Sequence, residues 1–424
     1  MDLFLVIFAA TLVVGVLISA LAHKTVLSTA VLFLLVGFTL GPNVTGVLQF
    51  DATSPAISTI SELALFVVLF TDGMRTGWQD LRKAWRLPGR ALGWGLPLTL
   101  VFTAVLAHFI VGLDWTSALL VGAILAPTDP VFAAAIVGNK RVPNRLRYLL
   151  NVESGVNDGL ALPFVIIFLE LSTGTEDLHF AELGIEILFG AAIGVAVPLL
   201  VVWALRSRLF AATGVYEPIG AIAIGLLVFA LASATHANLF LAAFAAGITL
   251  ATVGEQERDR FHEFGEILAE LLKLLALTVF GALLSPQFLA EIPWTGYVFA
   301  VLALLLPRPA ALYLSFLGSK LSMREQVAAM WFGPKGFASV VYVLLVVTSE
   351  APQADFIFHL VALTVALSIL AHSSTDVVVA KWFDEPKEVP AWEGPEPVPP
   401  GHDLGGSDAG RSLPPDPERG EAGG

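Results

Sequence analysis

Nine consecutive residues, Asn151-Val152-Glu153-Ser154-Gly155-Val156-Asn157-Asp158-Gly159, carry two acids, one hydroxyl and two amides in a chain otherwise short of polar groups. Read as a helix, Ser154 and Asp158 stand four apart on one face, and Glu153 and Asn157 stand four apart on the adjoining face. These are hard oxygen ligands, suited to Na+, K+ or Li+, and the Asp158 carboxylate can equally take a proton. Gly155 and Gly159 let another helix approach closely.

Two other stretches interrupt their own helical pattern. In Ala126-Pro127-Thr128-Asp129-Pro130 each proline removes a backbone donor and frees a carbonyl. Broken backbone at membrane depth is tolerated only where it is buried in protein or lines a cavity. Freed carbonyls there can face a cation, and the Asp129 carboxylate can offset a half-helix N-terminus. Gly333-Pro334-Lys335-Gly336 is a second interruption with a charge at its centre. Interruptions at corresponding places in two halves point to an inverted-repeat transporter with its site between the repeats. Lys335 has a second reading, as a lysine snorkelling to an interface. Arg308 lies between Pro307 and Pro309, and a buried guanidinium needs a buried carboxylate. Glu153 is the partner expected, in a structural ion pair that leaves Asp158 for other work. Asp72 is either a secondary cation contact or a solvated helix end. Lys273, with Glu270 one turn earlier, reads as a local ion pair or a long chain reaching an interface.

The elements that must hold these residues are membrane helices. The hydrophobic fraction is 56% and the charged fraction 14%, against about 25% charged in soluble domains. Runs of about 20 apolar residues read as spans. Thirteen are expected, near 3–22, 25–41, 56–71, 91–112, 116–138, 147–172, 183–205, 215–234, 237–253, 265–285, 296–317, 325–348 and 355–380. Cytoplasmic loops should carry Lys and Arg. With the N-terminus outside, alternate loops hold Lys24; Arg75, Arg82, Lys83, Arg86 and Arg90; Lys140, Arg141, Arg145 and Arg147; Arg206 and Arg208; Arg258 and Arg260; Lys320 and Arg324; then Lys381. The opposite loops carry Asp51, Asp114, Glu176, Asp177, Glu291 and Glu350. A miscounted helix would invert this pattern downstream, and no inversion occurs. An even count is the structural alternative. Residues 1–382 thus read as one transmembrane domain, and 383–424, rich in Pro, Gly and acids, as a disordered cytoplasmic tail.

Several classes are disfavoured. The chain has no cysteine, so disulfides and thiolate metal sites are excluded, and its 8 histidines show no metal-binding spacing. No basic patch interleaved with aromatics suggests a nucleic-acid partner. No cofactor is expected beyond transported Na+ or K+, and H+. The competing readings are a passive ion channel or organic-solute transporter, and an intramembrane aspartyl protease using Asp129 and Asp158. The protease would need a Gly-x-Gly-Asp signature that Gly155-Val156-Asn157-Asp158 lacks.

Thr128-Asp129-Pro130, followed by Glu153-Ser154 and Asn157-Asp158, resembles the monovalent cation:proton antiporter family 1, the sodium/proton exchangers and their prokaryotic relatives. The resemblance covers roughly 3–380 and includes the Gly-rich motif around Lys335. It implies an all-α fold with two broken, crossed helices, a core domain and a dimerisation domain, and a homodimer in a prokaryotic plasma membrane. It implies that cation and proton compete for Asp158, with contributions from Thr128, Asp129 and Ser154, and that Glu153 pairs with Arg308. The family motif usually has Arg where this chain has Lys335, which lacks the bidentate fork. Asn157 is an amide rather than a second acid, so one proton per cation is the simpler stoichiometry. The expected activity is electroneutral cation/proton exchange by a transporter, not an enzyme.

Overall fold

A helix that is apolar on every side has no solvated face and must pack against other helices or lipid. The computed structural model describes residues 2–22, 29–42, 44–48, 55–75, 77–78, 87–129, 142–173, 180–207, 219–349 and 351–383, and among these it contains helices and no strand. They are α1 Asp2–Ala22, α2 Thr29–Leu40, α3 Pro55–Arg75, α4 Pro88–Val111, α5 Trp115–Leu125, α6 Asn144–Ser172 and α7 Phe180–Leu205. There follow α8 Ile219–Ala234, α9 Leu239–Val253, α10 Glu255–Leu283, α11 Trp294–Ser315, α12 Met323–Trp331, α13 Phe337–Val347 and α14 Ala354–Ala380. The expected tail, save its first residue, and residues 130–138 of the fifth expected span lie outside the described residues.

Each expected segment contains helix, with differences in extent that have physical causes. The fifth stops at Leu125, before Pro127, and the twelfth is split into α12 and α13 around Gly333-Pro334. The eleventh is interrupted at Leu306, just before Pro307. The tenth begins earlier, at Glu255, because its charged first turns are helical although too polar to read as a span. Among the described residues α4, α6, α11, α14 and Ala181–Leu205 of α7 are long and apolar enough to cross a membrane, and α1, α2, α5, α8, α9 and α13 are apolar but shorter.

The helices pack as two groups. In one, α2 and α3 lie against α10, α3 against α9, and α7 and α8 against α9. In the other, α4 lies against α5 and α11, α5 against α6, α11 against α12 and α14, and α13 against α14. The first group is knit by close backbone approach: a Cβ on Gly73 of α3 would sit 2.5 Å from the Phe244 carbonyl of α9, and one on Gly247 of α9 would strike the Phe70 carbonyl. The groups meet where α3 touches α6 and α13, α10 touches α13, and α9 touches α6. The polar helix α6 is 61% buried over its most apolar window, against 33% for apolar α7. The helix with the chemistry is thus on the inside, and the one without it faces outward.

Candidate cation and proton site

The ends of broken helices carry orphan carbonyls and N–H groups that must find partners when buried. Here the two interruptions, one after Leu125 and the other from Phe332 to Gly336, supply each other. The Asp129 N–H donates to the Pro334 carbonyl at 2.9 Å. The Phe337 N–H, at the first turn of α13, donates to Asp129 Oδ2 at 3.2 Å. Ser339 Oγ, on α13, donates to the Ile124 carbonyl of α5 at 2.7 Å. Asp129 therefore sits where the dipole of α13 favours an anion. A Cβ on Gly336 would lie 2.6 Å from Asp129 Oδ2, so glycine is needed there for the two segments to touch.

Other freed groups of the second break are taken by its neighbours. Arg308 Nη2 donates to the Ala329 and Phe332 carbonyls, both at 3.1 Å. Ser368 Oγ on α14 accepts the Lys335 N–H at 2.7 Å. His372, one turn on, places Nε2 3.0 Å from the Trp331 carbonyl, which can only accept. A backbone with this many partners is built, not slack.

α6 crosses beside both breaks. Asn157 Nδ2 donates to Thr128 Oγ1 at 2.8 Å and to the Thr128 carbonyl at 3.1 Å, tying α6 to the first break. On the same face, one turn earlier, Glu153 accepts Arg308 Nη1 at 2.5 Å and Nη2 at 3.1 Å. Both are nearly fully buried, Glu153 at 4% exposure and Arg308 at 5%. The forked geometry spreads the two charges over two bonds, and Arg308 Nη2 also reaches the two carbonyls, while Nε has no partner among the described residues.

Asp158 is different. It is also buried, at 7% exposure, yet its Oδ1 has no hydrogen-bond partner among the described residues. Asn157 Oδ1 and Lys335 Nζ share that condition. The Tyr342 hydroxyl bonds the Asp158 backbone carbonyl at 2.7 Å and not its carboxylate. Pro163 supplies no N–H to the Gly159 carbonyl, one residue beyond. A buried carboxylate oxygen without a donor is costly until a positive partner joins it. A proton or a small cation is such a partner, and the two cannot occupy one oxygen together. Ser154 is buried one turn before Asp158 on the same helix.

The remaining candidates lie on the facing group. Asp72 on α3 is buried and accepts Arg75 Nη1 at 3.0 Å, so it is no bare helix end. Lys273 on α10 is buried. Its burial rules out a reach to an interface. α10 packs against α3 and α13.

The model of the family described as "Sodium/hydrogen exchanger, transmembrane" matches residues 8–382. The chain belongs to the sodium/hydrogen exchanger family. The chain is 26% identical over 397 residues to the K(+)/H(+) antiporter NhaP2 of Shewanella baltica (strain OS223), covering 91% of this chain and 68% of that protein. It is 25% identical over 396 residues to the K(+)/H(+) antiporter NhaP of Alkalimonas amylolytica, with the same coverage. Its fold matches the structure of the sodium proton antiporter MjNhaP1 from Methanocaldococcus jannaschii at pH 8, with a TM-score of 0.71 at 18% identity over 90% of this chain and 99% of that one. The fold is thus that of a sodium/proton antiporter, and this member is a membrane protein of several apolar helices.

Some of the site escapes sequence reading. Ser368 and His372 are polar residues four apart on an apolar helix, a spacing that marks one face, but nothing said which break they serve. Tyr342 and Ser339 gave no signal, because one hydroxyl in an apolar run has many uses. Arg145 is missed too. It forks onto both Glu325 oxygens and reaches the Lys320 carbonyl at 3.1 Å, joining the start of α6 to the start of α12. The Ser322-x-x-Glu325 capping box at that helix start was readable.

Proposed function

We propose that this protein is a secondary antiporter that exchanges a monovalent alkali cation, Na+ or K+, for H+, by competition of the two for Asp158. The observation that carries the reading is the buried, unpartnered Asp158 Oδ1 beside two mutually capped helix breaks. The cation's other ligands are Thr128 and Ser154, with Asp129 and Asn157 positioning the broken backbone and Asp72 and Lys335 as secondary contacts. Glu153 and Arg308 form the structural pair. Asp158 without proton or cation crosses reluctantly, since an isolated buried charge is expensive, and that enforces exchange. With an amide at Asn157 the exchange is one for one and electroneutral. Both cations stay in the reading because two relatives are named for K+ and the structural neighbour for sodium. It is a transporter, not an enzyme, and it needs no cofactor.

In the same reading thirteen helices cross the membrane as inverted repeats, the N-terminus lies outside and the C-terminus in the cytoplasm of a prokaryote. The group containing α5, α6 and α13 is the moving core, and the group containing α3, α9 and α10 makes a homodimer. Residues 383–424 form a cytoplasmic tail that can be removed at about Trp382 without loss of fold. The test is proteoliposomes with an internal pH dye and an imposed proton gradient, given Na+, K+, Li+ or choline in turn. An alkali cation, and not choline, dissipates the gradient through the wild type but not through Asp158→Asn. If no cation moves protons between about pH 5.5 and 8.5, or the variant matches the wild type, the site is misassigned. Flux that follows membrane potential under symmetric ions would refute electroneutrality.

A further inference from the structure

Among the described residues, buried threonines on helices share one habit. Thr11, Thr99, Thr103, Thr249, Thr278 and Thr364 each donate to the carbonyl four residues back. Thr71 is as buried as they are, and its hydroxyl has no partner. Its neighbour Asp72 is buried too, with a side chain 7% exposed, and Oδ1 accepts Arg75 Nη1 at 3.0 Å. Arg75 is 32% exposed and is shared: its Nε also donates to Glu266 Oε1 of α10 at 3.1 Å, a carboxylate 20% exposed. One guanidinium thus stands between an inner carboxylate and an outer one, at the end of α3 where the chain carries its basic loop. On α10, Glu266 and Lys273 are seven residues apart and share a face.

Given the exchange activity proposed for Asp158, we infer that Arg75 is a resident counter-cation of the site's approach. It occupies Asp72 when no alkali cation is present, an entering cation must displace it, and Glu266 draws it aside. Arg75 therefore sets cation affinity from the face where it lies, while Asp158 sets the exchange itself. Arg75 suits this because its charge never leaves by deprotonation and its partial exposure lets it swing between two carboxylates. The pair is exposed on its Arg75 side only, where an entering cation would meet it.

The assay is cation-dependent proton flux in everted vesicles, whose outer face is the cytoplasmic one, and in right-side-out vesicles. Arg75→Gln should lower KM for the cation about fivefold in everted vesicles, with little change in right-side-out ones. Glu266→Gln should do the opposite and raise KM, because Arg75 then rests wholly on Asp72. Arg75→Lys should stay close to the wild type. A second readout needs no flux: thermal stabilisation of the detergent-solubilised protein by Na+ or K+ should begin at lower cation concentration in Arg75→Gln. The inference is overturned if Arg75→Gln leaves KM unchanged or raises it, or if Glu266→Gln lowers it, while the wild type exchanges normally. A wild type that exchanges no cation for protons overturns the antiport reading instead. Should Arg75→Gln not fold, Arg75→Lys and Glu266→Gln still decide, since equal KM shifts of one sign contradict a shared guanidinium.

Discussion

Glu153 and Asp158 are two acids on one helix, five residues apart, and both are buried. Glu153 has a forked arginine on both oxygens, and Asp158 has an oxygen with nothing. Burial alone therefore does not distinguish the two acids. The first acid is satisfied by protein and can only be damaged by change. The second has an oxygen without a protein donor among the described residues, and it is the one proposed here for exchangeable ions.

The contrast predicts opposite outcomes for the two positions. Asp158→Asn should abolish cation-driven proton flux in liposomes while leaving thermal stability equal or higher, because a costly buried charge is gone. Loss of fold in that variant would place Asp158 in the scaffold. Arg308→Ala should instead destabilise by about 3–5 kcal/mol, since it strands the Glu153 charge and the carbonyls of Ala329 and Phe332. Thermal unfolding in detergent measures this. The double change Glu153→Gln with Arg308→Met should recover part of the loss, because no uncompensated charge is left. Stability that falls by the sum of the single changes would show that the two do not act as a pair.

A smaller effect is expected at Asn157→Ala, which removes both bonds to Thr128. It should cost about 1–3 kcal/mol of stability and raise KM for the cation, since the first break is then held less firmly. The smallest belongs to a residue outside the contrast. Asp114 caps α5 by accepting the Thr116 N–H at 3.0 Å and the Ser117 N–H at 3.1 Å. Burial pushes its carboxyl up, but the Ser117 and Thr116 donors outweigh this and hold it below the usual carboxylate value. The stability it contributes is present above the unfolded value of about 3.9 and is lost as pH falls through the lower folded value. Asp114→Ala should cost about 1 kcal/mol at neutral pH and less once pH falls through the lowered folded value, without altering KM. A changed KM would couple the start of α5 to the site.

What the sequence reveals about this molecule follows from which signals are local. Pro127 and Gly333-Pro334 fix where backbone bonds must fail, so the ends of α5 and α12 were readable. The apolar runs locate helices, but α5 and α13 are too short to count as spans by length, so crossing number does not follow from composition alone. The pairing of breaks was not readable, because the bonds from Asp129 to Pro334 and Phe337 join residues about two hundred positions apart. Comparable separation hid Tyr342 against Asp158, and even the 41 residues between Trp331 and His372 were enough to hide that pair.

The most direct measurement is proton release on cation binding. Purified protein in weak buffer is titrated with Na+ and then K+, with choline as control, while pH is followed at several starting values. Competition at Asp158 predicts a release approaching one proton per cation bound on the acid side of the titration. It also predicts a cation affinity that falls as pH falls, and neither behaviour in Asp158→Asn. Cation binding without proton release in the wild type, or equal release from the variant, would contradict a single shared carboxylate.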